Sequence, residues 1–234
     1  MFDIRRRGGP AEFCKELITR MGSNLSSRTI YKLDATLNYL EAGRWMREHG
    51  FDLSRRVQRR EQLFDLVGEQ VGDRKVLYLE FGVWKGSATL YWSQLLRNPG
   101  SKLHGFDSFQ GLPEDWTPYE RKGCFSTGGQ IPKIDDPRVE FFKGWFEDTL
   151  PTYKIPPHEV LVAVFDADLY SSTKLVLDYL EDTIVPGSYL YFDDFSHRND
   201  EMRAFDEFIH TTGHRFSLVG ATRVLSEVMF RTEC

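Results

Sequence analysis

The sequence predicts an α/β fold: a mostly parallel, seven-stranded sheet layered with helices, closed by an antiparallel C-terminal hairpin and preceded by a helical cap. Three observations predict it. Short apolar runs, of the kind buried on both faces of a parallel sheet, alternate with stretches of helical periodicity. An acid follows such a run at Glu80, Asp107, Asp166 and Asp193-Asp194. Near the C-terminus two further runs follow each other with only a glycine-containing turn between them. Strands alternating with helices imply right-handed crossovers and parallel pairing, and a terminal hairpin adds an antiparallel edge.

The elements follow in order. Leu33, Leu37, Leu40 and Trp45 recur at helical spacing, as do Leu63, Leu66 and Val67, with Gly50 as a stop between two helices. Residues 1–70 therefore read as a helical cap or lid, or as an appendage on the sheet edge; periodicity does not separate the two. Residues 71–234 read as the sheet domain. Val76-Leu77-Tyr78-Leu79 is its first strand, followed by a helix from Ser87 to about Leu96. Lys102–Phe106, Val139–Phe142 and Val160–Phe165 are the next three strands, Val139–Phe142 following the turn at Asp136-Pro137. A helix from about Ser172 to Asp182 leads through Pro186-Gly187 to the strand Tyr189–Phe192. After a helix from about Asp200 to His210, Phe216–Val219 and Arg223–Phe230 are expected to pair across Gly220.

A chain of 234 residues with 41% hydrophobic and 14% aromatic residues can fill a core. A net charge of −5 argues against a general nucleic-acid binder, which needs a basic face. Arg5, Arg6 and Arg7, and Arg55, Arg56, Arg59 and Arg60, read as solvated helix faces. Cys14, Cys124 and Cys234 are far apart, so neither a zinc site nor a disulfide framework is expected. The N-terminus lacks the apolar run of a signal peptide, and no stretch has the length of a membrane span. The expected setting is cytoplasmic and the expected partner a small molecule, without nucleic acid or membrane; a homo-oligomer is left open.

In an open parallel sheet, ligands bind outside the carboxyl ends of the strands. Gly82 and Gly86 flank the turn after the first strand, with Phe81 and Ser87 beside them. Their spacing is not the dinucleotide fingerprint. Glu80 precedes the turn, where a carboxylate suits a cationic ligand group better than a pyrophosphate. Asp107, followed by Ser108, ends the second strand, where an acid commonly accepts hydrogen bonds from ribose hydroxyls. A ligand with a ribose, no phosphate and a cationic amino-acid end is S-adenosylmethionine. Gly144 and Trp145, after the third strand, are placed against its adenine, although Trp145 equally suits a core. The competing reading makes the glycines turn residues and the acids helix caps.

Asp166, Asp168, Asp193 and Asp194 form a second group. Carboxylates gathered at adjacent strand ends repel one another unless a cation lies between them, and hard divalent cations such as magnesium prefer oxygen ligands. The 27 residues from Asp166 to Asp193 span about one helix and one strand, which suits neighbouring parallel strands. Capping by Asp168 and Asp194 is the alternative. His104, His197, His210 and His214 lack metal-ligand spacing; His197, three residues after Asp194, is the one placed for a substrate contact.

The segments Glu80–Gly86, Asp107–Pro113, Asp166–Thr173 and Asp193–Phe195 resemble those of the macrocin O-methyltransferase family, in matching order between about Leu77 and Phe208. The resemblance implies a Rossmann-like class I methyltransferase that methylates sugar hydroxyls of natural products with magnesium. It implies metal binding by Asp166, Asp193 and Asp194, with Asp166 also near the cofactor, and a general-base role for Asp168. The chain departs from the family at Pro186-Gly187-Ser188 and at Phe81 and Lys85, and the N-terminal region carries no matching motif. A catechol-type O-methyltransferase and a non-catalytic cofactor-binding module are the alternatives.

Overall fold

The computed structural model describes residues 9–234; the Arg5–Arg7 cluster lies outside the described residues. Two helices open the described chain, α1 (Pro10–Gly22) and α2 (Ser27–Glu48). The side-chain oxygen of Ser26 caps α2 by accepting from the Thr29 backbone N–H. The short strand β1 (Arg56–Val57) and helix α3 (Arg60–Val71) lead into β2 (Val76–Phe81), α4 (Ser87–Leu95), β3 (Lys102–Asp107) and β4 (Val139–Lys143). Then come α5 (Phe146–Thr149), β5 (Val160–Phe165), α6 (Tyr170–Leu180), β6 (Tyr189–Phe192), α7 (Glu201–Thr212), β7 (Phe216–Thr222) and β8 (Val228–Thr232).

The strands form one sheet in the order β1-β7-β8-β6-β5-β2-β3-β4. Seven are the expected strands; the eighth, β1, adds two residues parallel to β7 at the edge. Only β8 runs antiparallel to its neighbours. The hairpin differs from expectation. Gly220 lies inside β7 at a register irregularity, and the chain turns over Arg223–Glu227 instead. A Cβ at Gly220 would stand 3.0 Å from Leu63, so this glycine serves close packing of α3 on the sheet rather than a turn.

Both faces of the sheet are covered. Leu63, Phe64 and Val67 of α3 and Trp92 of α4 pack against Val76, Tyr78, Val162 and Tyr191 on one face. Val176 and Leu177 of α6 and Phe205 and Phe208 of α7 pack against Leu77, Leu79 and Phe81 on the other. The C-terminal end of α2 enters this second layer: Trp45 packs against Phe195, Phe205 and Phe230, and its indole N–H donates to Asp206 at 2.6 Å. Leu33, Leu37 and Leu40, the residues whose spacing marks α2 as a helix, are exposed.

The chain runs from β2 through β3 to β4 on one side, then returns to β5 on the other side of β2. Strand order therefore reverses between β2 and β5, and a crevice opens above their carboxyl ends. The register lines up this rim. Phe142, Phe106, Phe81, Phe165 and Phe192 are paired neighbours across five adjacent strands. Their rings stack, at 4.8 Å between Phe106 and Phe142 and 4.7 Å between Phe165 and Phe192. The residue after each phenylalanine is then brought into one row: Lys143, Asp107, Gly82, Asp166 and Asp193.

Candidate active site

Above that row lies a cavity of about 390 Å³. Loops after β2, β3, β4, β5 and β6 all contribute to its wall, together with Arg60 and the segment that carries Trp116 and Phe125.

The loop after β2 turns back sharply at Gly82, whose φ is +92°. A Cβ there would stand 1.7 Å from the carbonyl oxygen of Asp166, so only glycine lets β2 and β5 end side by side. Asp107 holds this loop. One carboxylate oxygen accepts from the N–H groups of Val83 and Trp84 at 2.8 and 2.7 Å, and the other from Phe109 at 2.6 Å. Much of its hydrogen-bonding capacity is thus spent on backbone. Glu80 is buried, and its carboxylate accepts from the hydroxyls of Tyr78, at 2.8 Å, and Thr89. Burial pushes its carboxyl up to about 7, against the lowering by those two hydroxyls and Arg60.

Of the residues expected to bind a cofactor, Glu80, Gly82, Ser87, Asp107, Ser108, Gly144, Trp145 and Asp166 line the cavity. Phe81 and Gly86 do not. Phe81 alternates to the opposite side and is fully buried between Phe106 and Phe165. Gly86 starts α4 in the left-handed region, where a Cβ would meet Pro132 at 3.0 Å.

Asp166, Asp168 and Asp194 each bring a carboxylate oxygen within 4.8 Å of the others. None caps a helix: the N-cap residues of α6 and α7 are Leu169 and Asp200, and neither makes a side-chain cap bond. Asp168 takes a φ of +60°, in the left-handed region that a non-glycine residue seldom adopts, and is buried. Asp166 keeps 30% of its side chain exposed, and it lines the cavity. Burial and the neighbouring charges of Asp193 and Asp168 raise its carboxyl well above the usual range. Burial, followed by the charge of Asp194, pushes Asp168 up to about 9. Burial and the charge of Asp193 push Asp194 up to about 6. Beneath it, Glu201 is fully buried and accepts from the Asp194 N–H at 2.9 Å. These carboxyls want positive charge.

The chain supplies some of that charge through Arg60. Its guanidinium donates to Asp193 at 3.0 Å, lies 3.5 Å from Asp166 and donates to Ser87 Oγ at 3.1 Å. Burial works against its charge, and Asp193 and Asp166 outweigh that and hold it protonated. Asp193 also accepts from the Tyr191 hydroxyl. Asp193 is thereby drawn toward Arg60, while Asp168 joins Asp166 and Asp194; the expected trio of Asp166, Asp193 and Asp194 is not the one that clusters. Arg60 corrects the reading of its arginine run as a solvated face. It is the only cationic side chain among the described residues of the cavity wall. Its signal in the sequence is indirect: a cluster of acids that no nearby base balances.

Trp116 lines this cavity and also a second one, of about 580 Å³, between α2 and the loop after β6. His197 packs on the Trp116 indole at 4.7 Å, and the Trp116 N–H donates to Asp200 at 3.1 Å. Arg198 ties the loop to α2 through Asp34 and Asn38, both at 2.7 Å. His197 thus stands near the site, in the wall of the second cavity. His104 is buried and bonded to the Tyr153 hydroxyl at 2.7 Å, and His210 and His214 line neither cavity.

Residues 130–219 match the macrocin-O-methyltransferase (TylF) family. That stretch carries the ends of β4, β5 and β6, including Asp166, Asp168, Asp193 and Asp194. The chain is 29% identical over 138 residues to the 8-demethyl-8-(2,3-dimethoxy-alpha-L-rhamnosyl)-tetracenomycin-C 4'-O-methyltransferase of Streptomyces olivaceus, covering 50% of this chain and 52% of that protein. It is 31% identical over 157 residues to the demethyldecarbamoylnovobiocin O-methyltransferase of Streptomyces niveus, covering 58% of each. The matched stretch thus spans about half the length of these curated relatives. Among solved structures, the O-methyltransferase NovP superposes with a TM-score of 0.55 at 28% identity, over 74% of this chain and 78% of that one. The fold is that of class I S-adenosylmethionine-dependent methyltransferases.

Proposed function

We propose that this chain transfers a methyl group from S-adenosylmethionine to a hydroxyl of a sugar or a sugar-bearing natural product, with a divalent cation bound in the cleft. The observation that carries the reading is the half-buried cluster of Asp166, Asp168 and Asp194 beside the Gly82 turn. A hard cation suits this all-oxygen donor set, and carboxyls pushed to about 6 and 9 are relieved by positive charge. Asp166 and Asp194 are the ligands common to the geometry and to the family pattern; Asp193 completes the set where Arg60 releases it. A divalent cation there favours ionised carboxyls and the alkoxide form of a hydroxyl.

The chain's own groups do the rest. The Gly82 turn admits the cofactor close to the backbone, and Asp107 fixes that turn while its remaining lone pairs face the cavity. Arg60 and Ser87 stand together at the start of α4, where they meet the carboxylate of an amino-acid tail. Asp168 is within hydrogen-bonding reach of Asp194 and accepts the proton from the acceptor hydroxyl. The name of the Streptomyces olivaceus relative gives a rhamnosyl-bearing tetracenomycin as its acceptor, which supports a glycosylated acceptor here. Trp116 offers the flat apolar face on which a sugar ring packs.

The test is turnover with a panel of glycosides and catechols, after chelation and again after magnesium return. Methylation of glycosides that stops in EDTA and resumes with magnesium supports the reading. Rates unchanged by EDTA remove the cation, and S-adenosylhomocysteine binding without any turnover would leave a binding module.

A further inference from the structure

The N-terminal helices carry an apolar surface that is exposed among the described residues. On α1, Phe13, Leu17, Ile18 and Met21 share one face, and no residue of this helix is buried. On α2, Leu33, Leu37 and Leu40 form a second stripe, while Ile30 lines the second cavity. That stripe lies opposite the face of α2 that bears Tyr31 and Asn38 toward the second cavity and Ala42 and Trp45 toward the core. α2 is thus two-sided: one side packs on the sheet domain, and the other is bare among the described residues.

We propose that this face binds the same face of a second copy of the chain, making a two-fold dimer through α1 and α2. Area is the first reason. These seven side chains and Leu25, between the helices, are 40% to 68% exposed. At about 200 Å² for a fully exposed side chain of this size, they leave on the order of 900 Å² per chain, against about 800 Å² per partner in a stable interface. Charge is the second. Between Pro10 and Glu48, six Lys and Arg face five Asp and Glu. That near-balance suits self-association, whereas a helix that lies on an anionic bilayer has a polar face dominated by Lys and Arg. The third is α1 itself. It has 13 residues and buries none of them among the described residues, and isolated helices shorter than about 12–15 residues are marginal in water. The helix needs a partner surface to persist. An isologous contact supplies one, since each stripe meets its own kind.

Sedimentation velocity and light scattering at tens of micromolar test this. The wild-type chain is expected at twice its mass of 27.3 kDa. Leu33→Glu with Leu37→Glu is expected to run as a single chain with an unchanged near-ultraviolet circular dichroism spectrum, because both sites are exposed. Hydrogen exchange on the wild type gives a second readout that needs no variant. Amides of 10–22 should be protected when concentrated and lose at least tenfold of that protection on dilution below the dissociation constant. A wild type that runs as one chain, a double variant that stays dimeric, or α1 protection independent of concentration would each overturn the proposal. So would a single-chain species that co-sediments with phosphatidylserine vesicles.

Discussion

Replacing Gly82 with alanine tests how the two halves of the cleft are joined. The residue takes a φ of +92°, and its Cα faces the backbone of Asp166 so closely that a Cβ would lie 1.7 Å from the carbonyl oxygen and 2.6 Å from the carbonyl carbon. To reach van der Waals distance, the ends of β2 and β5 must part by more than an ångström. That breaks the hydrogen bond from Asp166 N–H to Phe81 O, now 2.9 Å, and loosens the Phe81–Phe165 contact. Left-handed backbone costs an alanine about 1–2 kcal/mol, and a lost buried hydrogen bond about 1 kcal/mol or more. Together these come to about 3 kcal/mol, or a melting point lower by about 6–12 °C for a chain of this size. Gly123→Ala is the control. Its φ of +82° is similar, but nothing lies within 4 Å of the new Cβ, so only the backbone term of about 1–2 kcal/mol remains. Scanning calorimetry of both variants gives the difference, and titration with S-adenosylhomocysteine shows whether the cofactor side of the cleft moved. If Gly82→Ala melts no lower than Gly123→Ala, the close approach of the two strand ends does not bear on stability and the reasoning fails.

The acidic cluster makes three further predictions. Carboxyls raised by folding stabilise the protein most below their unfolded values near pH 4, and that contribution is lost as pH rises through the folded values, about 6 for Asp194 and about 9 for Asp168. Melting temperatures in EDTA should therefore fall from pH 5 to pH 9, while magnesium should stabilise more at pH 8 than at pH 6; equal magnesium shifts at both would contradict the cluster as its site. Asp168→Asn should cut turnover by about a hundredfold or more while sparing S-adenosylhomocysteine affinity, measured by calorimetry; full activity would remove the base role. Arg60→Met leaves Asp193 and Asp166 without their internal counter-charge, so thermal melts should show a loss in EDTA that magnesium largely restores.

How much of this was legible in the sequence depended on what each residue type reports. β5 and β6 ended where expected because every residue of them is apolar and the next is an acid. The hairpin was misplaced because a glycine marks either a turn or a close approach, and Leu63, which decides between them at Gly220, is distant in sequence. Periodicity identified α2 as a helix but assigned its leucines no neighbour; they turn away from the core that Trp45 enters. Asp166, Asp168, Asp193 and Asp194 were legible as a group because parallel strands bring their ends together. Their partition was not. Which acid meets Arg60 is set by the angle at which α3 crosses the sheet, a tertiary quantity that spacing does not encode. Phe81 lies away from the cavity because a strand's alternation sends neighbouring residues to opposite sides, and Gly86 because it serves the start of α4, where a Cβ would meet Pro132.

The wall of the main cavity sets Glu80, Asp107, Glu147, Asp166, Asp168, Asp193 and Asp194 against a single guanidinium. Even with protons on Glu80 and Asp168, that wall is an electrostatic sink for cations. For the proposed cofactor this has a kinetic consequence. A sulfonium brings a positive charge into the cleft, and the thioether left after transfer has none. The spent molecule keeps the shape of the fresh one but loses its attraction to the wall, so the field that captures the donor also favours its exchange.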